Sequence, residues 1–223
     1  NIVFIVKDSK GQGIVLKQAL PYVRLVGPSW PMSPDRARIE YETTVIHSEA
    51  AEHLVPKIYF YDTDRYIIAM EDLSDHKVWR TALNAGEKNF GSAESVGEYI
   101  ARATFATSIF GAGAEKHKKD IARAINPEIC LITEDLVFTE PYFPGDRNSY
   151  LSDNEPDAQA IIDDEQMVLE IGELKFKFMT AAEALIHGDL HTGSVMVKSK
   201  EDGTEISTRA FDSEFSFYGP IAF

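Results

Sequence analysis

Residues 184–220, "ALIHGDLHTGSVMVKSKEDGTEISTRAFDSEFSFYGP", decide how the rest of the chain is read. Two short apolar runs, 184–187 and 194–197, flank a polar loop, and a third strand-like run leads into Phe211-Asp212-Ser213-Glu214. Strands broken by glycine-containing turns would bring His187, Asp189, His191, Asp212 and Glu214 to neighbouring strand ends. Two readings compete: a site for metal and phosphate, or a solvated acidic hairpin. The remainder of the chain has to choose between them.

The 223 residues fit one large domain or two small lobes. A composition 44% hydrophobic and 26% charged is that of a soluble globular protein with enough apolar side chain for a core. Lys and Arg number 22 against 36 Asp and Glu, a formal charge of −14. Such a surface argues against general binding of nucleic acid or an anionic membrane, so an anionic ligand needs its own local cations or a metal. The single cysteine, Cys130, excludes a disulfide within the chain and suits a reducing, cytoplasmic compartment; its apolar flanks predict a buried thiol. No run approaches the ~18 apolar residues of a membrane span, and no signal peptide opens the chain. The chain begins at Asn1 inside an apolar run and stops at Phe223 without a cap, so both ends look cut.

Along the first seventy-odd residues the pattern is β-β-α-β-β. Residues 1–7 and 13–20 read as a hairpin around Asp8-Ser9-Lys10-Gly11. A connection rich in Gly, Pro and Trp, Val26 to Pro31, leads to Ser33 as a helix N-cap with Pro34 at the first helical position. That helix should run to about Leu54, where Val55-Pro56 stops it, and 57–62 with 65–71 form a second hairpin. Helical periodicity then covers about 76–85, 94–110, 115–125, 127–137 and 156–182, the last with a break near Gly172. The acidic stretch 153–165 reads as a solvated helix face. Strands return only in the opening stretch. The expectation is an α+β, two-lobed protein-kinase-like fold: a β-rich lobe over 1–73 and a mainly helical lobe over 74–223.

In that layout several residues acquire chemistry. Lys17 sits among apolar neighbours on a strand, where a phosphotransferase needs a cation for the nucleotide phosphates; standing alone it would be an ordinary strand-edge lysine. Its carboxylate partner should come from the following helix, with Glu40 preferred over Glu42 and Glu49. Glu71-Asp72-Leu73 follows the apolar run that ends in Met70, and reads either as a plain strand-to-helix turn or as a connector whose backbone meets an adenine edge, with Met70 lining the pocket behind it. Phosphoryl transfer to an alcohol needs a carboxylate beside the attacking hydroxyl, the place of Asp189. Mg²⁺ needs hard oxygen ligands; Asp212 and Glu214, two apart on an extended segment, would point to the same side. A zinc site from His187, Asp189 and His191 is disfavoured. Their spacing suits a helix rather than a glycine-broken loop, and the Glu of a zinc hydrolase motif is missing. His187 reads as a structural histidine, and His191 as a phosphate contact or a loop cap.

Together these residues resemble the 5-methylthioribose kinase family of the kinase-like superfamily, which also holds aminoglycoside and choline phosphotransferases. The resemblance rests on HGDLHTGS (187–194), D-S-E-F-S-F-Y-G-P (212–220), K-Q-A-L-P-Y-V-R (17–24), S-W-P (29–31) and M-E-D-L (70–73), and covers essentially the whole chain. It implies Mg²⁺-dependent transfer of the ATP γ-phosphoryl to the anomeric hydroxyl of 5-methylthioribose, giving the 1-phosphate in methionine salvage. Asp189 would be the catalytic base and touch the sugar together with Trp30. Lys17, Glu40, Met70, Glu71, Leu73 and His191 would serve ATP, and Asp212 with Glu214 would hold the metal. A cytoplasmic enzyme that pairs as a homodimer fits this reading. Ser194 stands where many relatives carry a metal-binding Asn. Ser213 replaces the proline of a D-P-E motif, which should loosen that segment. The family's glycine-rich loop would precede Asn1, and its C-terminal helices would follow Phe223. Two alternatives stay open: a kinase of another alcohol, of aminoglycoside or choline type, and a non-catalytic nucleotide-binding fragment.

Overall fold

A computed structural model describes residues 1–24, 27–145 and 148–223; Val26, which opens the expected connection, lies outside the described residues. Strands β1 (Ile2–Lys7) and β2 (Gly13–Gln18) form the first hairpin. Its turn is closed by the Asp8 carboxylate, which accepts from the N–H groups of Lys10 and Gln12 at 2.8 Å each. With β3 (Ile58–Asp62) and β4 (Ile67–Glu71) they make a four-stranded antiparallel sheet of order β1-β2-β4-β3. Strand alternation puts Val15 and Lys17 of β2 on one face. There Val15, Ile68 and Met70 pack against Ala37 and Tyr41 of helix α1 (Arg36–Ala51).

Helix α1 begins at Arg36, later than the Ser33 cap predicts. The Ser33 hydroxyl instead accepts from the Asp35 N–H at 3.2 Å, so Ser33 and Pro34 belong to a turn that feeds the helix. At its far end a 3₁₀ turn, Glu52–Leu54, leads to an extended Val55, the conformation required before Pro56. The inward face of α1 is unusually polar: Arg36, Glu40, Thr43, Thr44 and His47 are all buried, at helical spacing. Buried polar groups are costly unless bonded. The partners of three of them, Arg36, Glu40 and Thr44, lie in the site described below.

Next come β5 (Lys77–Val78), α2 (Trp79–Asn84), α3 (Ser92–Thr107), α4 (Ile109–Ala112), α5 (Ala114–Ile121) and α6 (Pro127–Phe138). The helix expected over 94–110 is two helices, because the Ser108 hydroxyl accepts from the N–H groups of Phe110 and Gly111 and starts a new one. The break expected at Gly172 falls elsewhere. Helices α7 (Glu155–Ile162) and α8 (Glu165–Thr180) meet at Asp163-Asp164, where the Asp164 carboxylate caps the Met167 N–H at 3.0 Å. Gly172 continues through α8, and the acidic side chains over 153–165 are exposed as expected. Cys130 on α6 is only half-buried; desolvation, with Glu134 nearby, pushes its thiol up to about 12.

The opening stretch supplies β6 (Ala184–Ile186), β7 (Val195–Ser199), β8 (Glu205–Ala210) and β9 (Phe217–Gly219). They form two sheets, β5-β7-β8 and β6-β9. Since β6 pairs with β9 and β7 with β8, the loops after β6 and after β8 are brought side by side. The fold is thus α+β, with small antiparallel sheets before and after a helical middle.

Candidate active site

Lys17 is nearly buried on β2, and its ammonium meets two carboxylates from opposite ends of the chain. Glu40 Oε2 of α1 lies 2.7 Å away, and Asp212 Oδ1 is in direct contact. Glu42, one of the two competing carboxylates, faces outward and pairs with Arg38. Glu214 completes the group: one carboxylate oxygen each of Glu40, Asp212 and Glu214 lie within 4.8 Å of one another. The route by which the two acids of D-S-E converge differs from the extended segment expected. Asp212 has φ +69°, and Glu214 sits in a turn closed by the Ser216 N–H on the Ser213 carbonyl at 3.1 Å. Asp tolerates this left-handed conformation better than most residues.

Ser213 does not loosen the segment. It is buried, its hydroxyl lies 3.3 Å from that of Thr44, and the pair ties the D-S-E turn to α1. Arg36, one turn before Glu40, was not foreseen as part of the site. Its Nε is 3.3 Å from Glu214 Oε2, while its Nη1 donates to the carbonyls of Leu20 and Ser33 at 2.8 Å each. The spacing of Arg36 and Glu40, four apart on one helix face, is the sequence signal that could have found it.

Three carboxylates against Lys17 and Arg36 leave the cluster rich in negative charge. Burial opposes the charge of Lys17, but Glu40, Asp212 and Glu214 outweigh it and raise its pKa. Burial pushes Glu40 up to about 7 against the pull of Lys17, with Asp212 and Glu214 adding to the rise. Asp212 is itself partly desolvated, yet Lys17 holds it below the usual carboxylate range. An arrangement of hard oxygen donors with surplus negative charge fits Mg²⁺, and Asp212 and Glu214, whose side chains are more exposed than that of the buried Glu40, are the groups that would bind it.

Asp189 follows Gly188, whose φ of +81° and close approach admit no side chain: a Cβ there would lie 2.0 Å from the Phe215 carbonyl oxygen. The Asp189 backbone is held on both sides. Its N–H donates to His187 Nδ1 at 3.3 Å, and its carbonyl accepts from the Ser194 hydroxyl at 2.8 Å. His187 Nε2 donates to the Phe211 carbonyl at 2.9 Å, so this buried ring bridges the Asp189 loop and the residue before Asp212. With both ring nitrogens spent on backbone, His187 is unsuited to hold a metal. Among the described residues the one cluster of metal-capable side chains is Glu40, Asp212 and Glu214. Ser194 has its hydroxyl on Asp189. The Asp189 carboxylate is half-exposed, with His191 Nε2 3.5 Å from its Oδ2.

The remaining expected residues are distributed unevenly. Met70 is buried in the sheet, the Glu71 N–H is spent on the Lys57 carbonyl at 2.8 Å, and the Leu73 carbonyl accepts from the His76 N–H at 2.9 Å. Of the Glu71 and Leu73 N–H groups only that of Leu73 is left, among the described residues, to meet a ligand. Trp30 is not brought to the group. It lines a cavity against α6 with Met32, Glu128, Leu131 and Ile132, none of them an expected site residue.

Over its entire length the chain is similar to methylthioribose kinases: 44% identical to that of Enterobacter sp. (strain 638), 43% to that of Pectobacterium carotovorum subsp. carotovorum (strain PC1) and 45% to that of Cronobacter sakazakii (strain ATCC BAA-894). It spans about 55%, 54% and 55% of those relatives' own lengths. No family model matches it.

Proposed function

Because the chain belongs to the methylthioribose kinase family, we propose that it carries most of the nucleotide and metal machinery of an ATP-dependent kinase for 5-methylthioribose. The observation that supports this best is the meeting of Lys17 with Glu40 and Asp212, groups from a sheet, a helix and a late turn. In this proposal residues 1–73 form the nucleotide lobe and 74–223 the catalytic lobe. Adenine lies against Leu73 and the carbonyls of the connector, in front of Met70, and the Lys17 ammonium, oriented by Glu40, meets the α- and β-phosphates. Mg²⁺ held by Asp212 and Glu214 would neutralise charge on the phosphates. Asp189 accepts the proton of the anomeric hydroxyl as its oxygen bonds to the γ-phosphorus, the bond to the ADP oxygen breaks, and the sugar 1-phosphate and ADP leave. The enzyme works in the cytoplasm, in methionine salvage.

The second reading, a kinase of another alcohol, predicts turnover with an aminoglycoside or choline. The test is a coupled ADP assay on the full-length protein with methylthioribose, kanamycin and choline as acceptors. Turnover confined to methylthioribose and lost in Asp189→Asn supports the proposal. Turnover with another acceptor alone, or none with any, rejects it.

A further inference from the structure

Arg80 of α2 lies far from the charge cluster in sequence, and no part of the proposed chemistry has used it. Its Nη2 is 3.0 Å from His191 Nδ1, and the Gly193 N–H meets the same nitrogen at 2.9 Å. A guanidinium and a backbone N–H can only donate. The lone pair of His191 is therefore on Nδ1, and the ring proton is on Nε2, the nitrogen 3.5 Å from Asp189 Oδ2. The Arg80 backbone also joins the loop, its N–H donating to the Thr192 carbonyl at 2.9 Å. Gly193 makes room for the pair: a Cβ there would lie 2.6 Å from His191 Cε1 and 3.0 Å from Arg80 Cζ.

From this chain of contacts we propose that Arg80 is a positioning residue for Asp189, acting through His191. Arg80 fixes the tautomer and tilt of the ring, and the ring's Nε2–H faces one carboxylate oxygen, leaving the other to accept the proton of the attacking hydroxyl. Together with His187 on the Asp189 N–H and Ser194 on its carbonyl, this steadies Asp189 at backbone and side chain alike. His191 is then a partner of the base rather than a contact of ATP. The inference rests on the kinase reading for its kinetic arm and is independent of it for its spectroscopic arm.

Small displacements of a reacting group cost up to about 100-fold in rate. In the full-length protein Arg80→Met should therefore lower kcat about 10- to 100-fold, with the KM for ATP unchanged within about twofold. His191→Gln should give a similar loss, and the double variant no more than the larger single loss, because one residue acts through the other. Gly193→Ala should lower kcat by crowding the ring. A raised KM for ATP in Arg80→Met, or losses that add, would assign Arg80 to phosphate and overturn the proposal. So would an unchanged kcat. If Arg80→Met fails to fold, Arg80→Lys, which keeps the charge without the planar fork, should still show the selective loss in kcat. Whatever the acceptor proves to be, long-range ¹⁵N–¹H spectra should show His191 protonated on Nε2. A ring protonated on Nδ1 overturns the proposal even where the kinase assay succeeds.

Discussion

At the scale of single residues, Asp189 and Asp212 are both carboxylates in glycine- or turn-shaped loops, yet their surroundings differ. Asp212 touches an ammonium and shares its space with two further carboxylates. Among the described residues Asp189 has no such neighbour, and it faces an imidazole. Substitution should separate the two. Asp189→Asn keeps size and an acceptor oxygen but cannot take up a proton, so kcat should fall by about 10²–10⁴-fold with ATP affinity nearly unchanged. A variant whose defect is cured by raising Mg²⁺ would show that Asp189 is a metal ligand instead. Asp212→Ala should abolish Mg²⁺-dependent turnover and weaken productive nucleotide binding, a loss of several kcal/mol in transition-state stabilisation. Steady-state rates across a Mg²⁺ titration check this, and near-normal turnover would remove Asp212 from the site.

At the scale of elements, α1 carries the site on a polar stripe. Arg36 reaches Glu214, Glu40 reaches Lys17, and Thr44 reaches Ser213. His47 bonds the Leu185 carbonyl at 3.0 Å and the Tyr99 hydroxyl at 2.9 Å. The carbonyl only accepts, so His47 is protonated on Nε2 and neutral when buried. Burial lowers it to about 4 from the ordinary 6.5. The unfolded chain then binds more protons than the folded one between those values, so stability should be fully present above about pH 6.5 and fall as the pH drops toward 4. The loss is roughly 1 kcal/mol per pH unit in that window. His187, also lowered by burial, acts in the same sense. Denaturant midpoints at pH 7.5 and 5.0 test this: the acid loss should shrink in His47→Gln, and an equal loss in both proteins would exonerate the histidine. The same stripe shows what the sequence could and could not tell. The early strands and their hairpins were legible because period-two alternation and turn residues are local. Glu40 was legible because one helix followed the lysine strand. Thr44 and Arg80 were not, since each owes its role to a partner more than a hundred residues away; for Arg36 the spacing from Glu40 marks the helix face, but not the distant Glu214 that it meets. The acute turn at Asp212 was hidden for a similar reason, because the segment's backbone is set by its packing on α1 rather than by its own propensity.

At the scale of the whole molecule, the contacts that define the site also bridge distant parts of the sequence. Lys17 to Asp212 spans 195 residues, and Thr44 to Ser213 spans 169. A ligand seated on Lys17, Asp212 and Glu214 would therefore bind only when the early sheet, α1 and the late turn are all in place, and unfolding any of them would release it. Ligand that binds only the folded state adds RT ln(1 + [L]/Kd), about 2.7 kcal/mol at a hundredfold excess over Kd. For a chain of this size that corresponds to a rise in Tm of roughly 5–10 °C. The surplus of negative charge around Lys17 divides this rise into two parts. A non-hydrolysable ATP analogue without Mg²⁺ brings further negative charge to the acidic cluster, so its effect on Tm should be small. Mg²⁺ and the analogue together should give most of the shift. In Asp212→Ala the added effect of Mg²⁺ should vanish, while Asp189→Asn should melt like the parent under every condition. A Mg²⁺ increment that survives in Asp212→Ala, or is absent from the parent, would mean that the acidic cluster is a structural ion network and that the nucleotide's metal is held elsewhere.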